Sequence, residues 1–170
     1  MSRHLLSAAL VVTTLAAAPA TAVAAEQPAP SNPNGLGLSV STLAGSGVTY
    51  RRWLDNGLGF QVAGVPFMGM KDDGSLGGFY NIGAQVMYAP LRFDNVSFYG
   101  MLGAGVGNNL YAGRSDAGIA PGVGMDWSLS PNFALVAALG YTLSMTQTAS
   151  PRRTTYGLSP GFTVGGLVCF

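Results

Sequence analysis

Few residues in this chain are equipped for acid–base, nucleophilic or metal chemistry. The only histidine is His4 and the only cysteine is Cys169. His4 falls in a segment argued below to be removed, so the mature chain has no imidazole to activate a hydroxyl or a water. Ser-His and Asp-His mechanisms are thereby excluded, as is any His-ligated metal site. Cys169 needs a neighbouring base to become a nucleophile; at the penultimate position of an apolar run it reads as a small inward-facing filler. Asp72-Asp73-Gly74 lacks the further spaced carboxylates that calcium requires and reads as a solvated turn. The glycine pairs Gly103 with Gly105 and Gly122 with Gly124 are not followed by a helix, so they form no phosphate loop. No catalytic residue, cofactor or metal is expected. The charges that remain inside ordered-looking runs are Arg51, Arg52, Arg114, Asp116 and Asp126.

The elements that must position those charges follow from composition. Of 170 residues, 48% are hydrophobic and only 9% are charged, against about 25% charged in a soluble domain. Such a chain is neither a disordered tail nor a nucleic-acid binder. Arg3 and His4 precede an apolar stretch from Leu5 to Ala17 and small residues up to Ala25, the order of a secretory signal peptide cleaved after Ala24 or Ala25. The apolar stretch, about 13 residues, is too short for a spanning helix. Residues 1–25 are therefore read as a signal peptide, 26–35 as a Pro-rich flexible leader, and 36–170 as a single domain. With Arg3 removed, basic residues fall from 8 to 7 and balance the 7 acidic ones.

Beyond residue 25 no window supplies the ~18 consecutive apolar residues of a membrane helix. What the chain supplies is alternation. From Asn132 to Thr146 one face carries Phe133, Leu135, Leu139, Tyr141 and Leu143, the other Ala134, Ala138, Gly140, Thr142 and Ser144. Thr155 to Phe170 repeats the pattern. Arg114–Leu129, Val96–Val106, Gly78–Ala89, Leu58–Phe67, Val48–Leu54 and Leu36–Leu43 complete eight predicted strands.

The connections alternate short and long, as they must when the two rims of a membrane barrel face different compartments. Asp55-Asn56-Gly57, Pro90 to Asn95 and Ser130-Pro131-Asn132 are short. Met68 to Gly77, Gly107 to Gly113 and Gln147 to Arg153 are longer and face outward, and Ala44-Gly45-Ser46-Gly47 is a short outer turn. Phe60, Tyr88, Phe98, Trp127 and Phe133 line up at the periplasmic rim, where rings satisfy both lipid and water. Pro121 and Pro160 cannot donate to a ladder, so a bulge or an edge is expected at each.

The C-terminal run, with Thr163, Gly165, Val168 and Phe170 at fixed steps, is similar to the terminal assembly signal of bacterial outer-membrane barrels. Together with the signal peptide and eight strands, the chain resembles the small OmpA-, OmpX- and OmpW-like barrels. That resemblance implies an all-β, eight-stranded antiparallel up-and-down transmembrane barrel, recognition by the barrel-assembly machinery, and a place in the outer-membrane lipid of a Gram-negative cell envelope. A soluble barrel is disfavoured because Lys71 is the only lysine and Glu26 the only glutamate. A monomer without a nucleic-acid partner is expected.

An eight-stranded barrel is filled by its own side chains, and a charge enclosed there must be paired. Arg51 with Asp126 is the expected lumen salt bridge; Arg114 and Asp116 are further lumen charges, and Arg52 lies low on the outer face. The expected role is structural or surface-interacting and non-enzymatic. The alternatives are a narrow, porin-like channel or conduit for small or hydrophobic compounds, suggested by an inward face rich in Gly, Ala and Ser, and a His-independent enzyme acting on lipid.

Overall fold

Alternation of large apolar with small or polar residues gives each strand one face suited to lipid and one suited to a narrow interior. In the computed structural model, which describes residues 32–70, 76–110, 112–148 and 153–170, that pattern is expressed as β1 (Asn34–Ser41), β2 (Gly47–Trp53), β3 (Leu58–Met70), β4 (Leu76–Arg92), β5 (Val96–Asn109), β6 (Arg114–Ser130), β7 (Phe133–Thr148) and β8 (Arg153–Cys169). Each strand pairs antiparallel with the next, and β8 returns to β1 to close the barrel. The signal-peptide segment and residues 26–31 of the expected leader lie outside the described residues, as does Asp72-Asp73-Gly74. The first strand begins at Asn34, two residues before the expected Leu36.

The fold is inside-out relative to a soluble domain. Leu38, Val123 and Leu139 are 66%, 67% and 67% exposed on the outer face, whereas Thr49, Gln61 and Thr163 inside are at most 1% exposed. Phe60, Tyr88, Phe98, Trp127 and Phe133 are also exposed, near the end of the barrel where Asn34 and Phe170 lie. We call this the lower end.

Several strands run further than the sequence reading expected. β3 continues to Met70, β4 to Arg92, β5 to Asn109 and β7 to Thr148. β1 and β2 are the exception, at 8 and 7 residues against 13–17 for the rest. Their connection does not stand above the wall as an outer turn: it folds into the lumen. Leu43 and Ala44 are 2% and 3% exposed, and Gly45 takes a left-handed φ of 77° at the tip. Space for the turn comes from glycines on the opposing strands. A Cβ on Gly83 would run into the Ala44 backbone, and one on Gly103 would lie 2.7 Å from the Ala44 methyl.

Because β1 and β2 stop early, the wall above them is two strands short. The β2–β3 ladder ends at the Val48–Gly64 pair and the β1–β8 ladder at Ser41–Thr163. Leu54 N–H donates to Leu58 O, and Thr42 N–H donates to Phe162 O. Even-numbered residues of β3 and β8 therefore point their backbone groups toward this side, which sets the ring nitrogens of Pro66 and Pro160 on the two open edges. Edge prolines of this kind discourage strand addition.

Pro160 thus meets the expectation of an edge. Pro121 does not: it sits between β5 and β7, where the β6–β7 ladder skips Ala120 and Pro121 without changing register. The register shifts fall elsewhere, between Tyr88 and Leu91 in β4 and between Ser128 and Ser130 in β6.

Candidate functional site

The lower lumen holds a layer of charge and aromatic rings. Arg51 of β2 is 2% exposed and its Nη1 donates to Asp126 Oδ1 of β6. In an eight-strand circle β2 and β6 are diametrically opposite, so this ion pair crosses the barrel. Arg51 Nε and Nη2 donate to Gln61 Oε1 at 2.8 and 2.6 Å; Gln61 is the register partner of Arg51 on β3. Trp53 Nε1 donates to the second Asp126 oxygen at 3.1 Å. The guanidinium also stands 5.5 Å from the centre of the Tyr99 ring, which meets Trp53 edge-on at 5.8 Å. Each carboxylate oxygen has a donor, as an enclosed charge requires.

Arg114 and Asp116 pair with each other at the outer end of β6. Arg114 Nε reaches both carboxylate oxygens at 3.1 and 3.0 Å, Nη2 reaches one at 2.9 Å, and the Thr146 hydroxyl donates to the same carboxylate. Arg114 is exposed there, so this pair lies above the closed part of the lumen. Arg52 is exposed on the outer face.

In the C-terminal run, Thr163 is buried inside with its Oγ1 2.6 Å from Ser41 Oγ. Gly165 faces β1 so closely that a Cβ would lie 2.7 Å from Leu38 O. Val168 and Phe170 are exposed on the outer face, and the Phe170 backbone exchanges two hydrogen bonds with Asn34 at the seam. Cys169 is half-buried at the lower mouth.

Gln61, Trp53 and Tyr99, uncharged residues at inward positions, were not singled out by the sequence reading, and neither was Arg92. The sequence reading placed Arg92 in the Pro90 to Asn95 turn, whereas β4 runs on to Arg92; unbroken period 2 would send it outward with Tyr88. The register shift between Tyr88 and Leu91 reverses the parity: Leu91 pairs with outward Phe98 and Arg92 with Ser97. Arg92 is thereby turned inward, with its guanidinium 5.1 Å from the centre of the Trp53 ring. Pro90, at the centre of the shift, was the available signal. Arg92 lines a cavity of about 720 Å³ at the lower mouth, together with Asn32, Asn34, Asp94, Ser97, Asp126 and Ser128 among others.

Fold and lumen together define a class: a small, closed, all-antiparallel eight-stranded barrel with an apolar outer face. No protein-family description matches the chain, and no curated protein matches it. Among solved structures the chain is similar to Ail, the attachment invasion locus protein of Yersinia pestis. The crystal structure of Ail is 18% identical with a TM-score of 0.39, covering 81% of this chain and 95% of that one. The structure of Ail in a phospholipid bilayer nanodisc is 20% identical with a TM-score of 0.41, covering 81% and 97%. Ail in complex with the heparin analogue sucrose octasulfate is 19% identical with a TM-score of 0.36, covering 81% and 95%.

Proposed function

We propose that the protein is a sealed barrel of the bacterial outer membrane whose role is structural or surface-interacting and not enzymatic. The observation that carries this reading is the double closure of the lumen. The inward-folded turn, with Leu43 and Ala44 buried, fills the upper half, and the Arg51–Asp126 pair spans the lower half. The exposed apolar face around the barrel supports immersion in lipid. On this reading the lower end faces the periplasm, the protein is a monomer exported by a signal peptide cleaved near Ala24 or Ala25, and the assembly machinery recognises Thr163, Gly165, Val168 and Phe170.

The test is twofold. The protein expressed in a Gram-negative host should fractionate with the outer membrane and migrate faster on a detergent gel unless boiled, and the refolded protein should show no conductance in a planar bilayer. Recovery in the soluble periplasm would overturn the membrane assignment; stable conductance steps would overturn the sealed lumen.

One observation favours a conduit as the second reading. Phe67 and Phe79 stack at 5.4 Å on inward-parity positions of β3 and β4 above the turn, with Phe67 next to Pro66 on the open edge of β3. Uptake of a hydrophobic fluorophore that depends on Phe67 would favour this reading.

A further inference from the structure

We propose that the lower mouth of the barrel is an oxyanion-binding site, taking a phosphate or carboxylate group, with Arg92 as its anchor. Three independent features converge on this residue. The first is its aim. A β-bulge re-aims side chains, and the shift between Tyr88 and Leu91 turns Arg92 from the outer face into the mouth. Without that shift its charge would lie beside Tyr88 at the rim, where the headgroups of a membrane would receive it.

The second is its unmet hydrogen-bonding capacity. Nε, Nη1 and Nη2 are all shielded from solvent, and none has a hydrogen-bond acceptor among the described residues. A guanidinium holds five donors in a fixed fork. Taking it from water without an acceptor is costly, and an oxyanion that meets two of those donors side by side offsets that cost most directly. The two nearby carboxylates do not serve. Asp126 is engaged by Arg51 and Trp53, and Asp94, on the same cavity wall, makes no ion pair with Arg92.

The third is the platform and the space. The guanidinium carbon stands 5.1 Å from the centre of the Trp53 ring, and the indole is itself fixed by its bond to Asp126. A cation–π contact holds the guanidinium near the ring without using any of its hydrogen-bond donors. The cavity, about 720 Å³, also carries Ser97, the register partner of Arg92, and Ser128. The Arg92 side chain lines that space.

The oxyanion has two possible sources, a free solute or the headgroup of a phospholipid at the rim, and the experiment separates them. Trp53 lies under the guanidinium and Trp127 is the only other tryptophan, so in a W127F background the fluorescence of Trp53 reports the site. The barrel in phosphate-free, uncharged detergent is titrated with inorganic phosphate, and separately with acetate, at constant ionic strength. It is also reconstituted in bilayers of phosphatidylglycerol and of a phosphate-free galactolipid.

A saturable Trp53 response to phosphate in detergent, weakened at least tenfold by R92Q and several-fold by R92K, supports a solute site. A response confined to phosphatidylglycerol bilayers and lost in R92Q supports a headgroup site. Lack of response in both settings, or a response equal in R92Q and the parent, overturns the proposal. Heat-modifiable migration confirms that each variant is folded; if R92Q is not, R92K decides, because it keeps the charge and loses the fork.

Discussion

Ser41 Oγ and Thr163 Oγ1 lie 2.6 Å apart inside the barrel, at the seam where the first and last strands meet. The same Ser41 oxygen accepts hydrogen bonds from the backbone N–H groups of Leu43 at 3.0 Å and Ala44 at 3.1 Å. With both lone pairs engaged, its own proton goes to Thr163. One hydroxyl thus ties barrel closure to the turn that fills the upper lumen.

Ser41→Ala removes all three bonds and leaves two buried N–H groups without this acceptor. At ~1–3 kcal/mol for each buried group left unsatisfied, the variant should lose several times the stability lost on Thr163→Ala, which leaves the turn's bonds to Ser41 in place. Urea unfolding of both variants in detergent micelles checks this. Equal losses would mean that the bonds to Leu43 and Ala44 add nothing.

Gly83 and Gly103 make room for the inward turn, so a branched side chain at either should push it out. Gly103→Val places atoms where the Ala44 methyl sits, and Gly83→Val collides with the Ala44 backbone. The expected outcome is a barrel that still inserts, shows heat-modifiable migration at a lower transition temperature, and leaks ions in a planar bilayer. Gly100→Val is the control, since a Cβ there meets nothing within 4 Å. A sealed Gly103→Val barrel of unchanged stability would show that the turn is not the upper closure.

Phe170 directly follows β8 with its ring on the outer face, and its backbone closes the seam with Asn34. Deleting it removes the terminal aromatic of the proposed assembly signal together with two seam hydrogen bonds. Export should continue while insertion into the membrane falls. Phe170→Ala separates the two effects because it keeps the backbone bonds: an insertion defect in this variant as large as in the deletion assigns the loss to the ring. Insertion at the parent level in both variants would make the terminal motif incidental.

Much of the fold was legible because strand parity is a local property. Asn132 to Thr146 alternates residue by residue, and β7 presents Leu135 and Leu139 outward and Ala134 and Ala138 inward, as read. The inward turn was not legible. Leu43 and Ala44 look like the continuation of an apolar strand, and the space that receives them is made by Gly83 and Gly103, about 40 and 60 positions away and brought opposite only by barrel closure. Arg92 was hidden for a different reason: it was read as part of the Pro90 to Asn95 turn, and its inward aim comes from a shift within β4. A single inserted residue reverses parity, and the sequence marks the position only by Pro90. Arg51 and Asp126 were legible because enclosed charges need partners and few were available.

Arg51 and Asp126 remain the sharpest test of the lumen. Both belong to one network, in which Gln61 and Trp53 supply the remaining bonds. Arg51→Ala leaves Asp126 with the Trp53 N–H alone, and Asp126→Ala leaves Arg51 charged and buried, with Gln61 as its hydrogen-bond acceptor and the Tyr99 ring beside it. Breaking an enclosed pair from one side costs ~3–5 kcal/mol, against ~0–1 kcal/mol for a solvated one. The side chains are 2% and 11% exposed, so the larger figure is expected for Arg51→Ala. Removing both partners should cost less than the two single losses combined, because no orphaned charge remains. The two single variants and the double variant, compared as a cycle by urea unfolding, measure the coupling directly. Strict additivity would mean that the two residues do not act as a pair, and the lower closure of the lumen would then rest on Trp53 and Tyr99 instead.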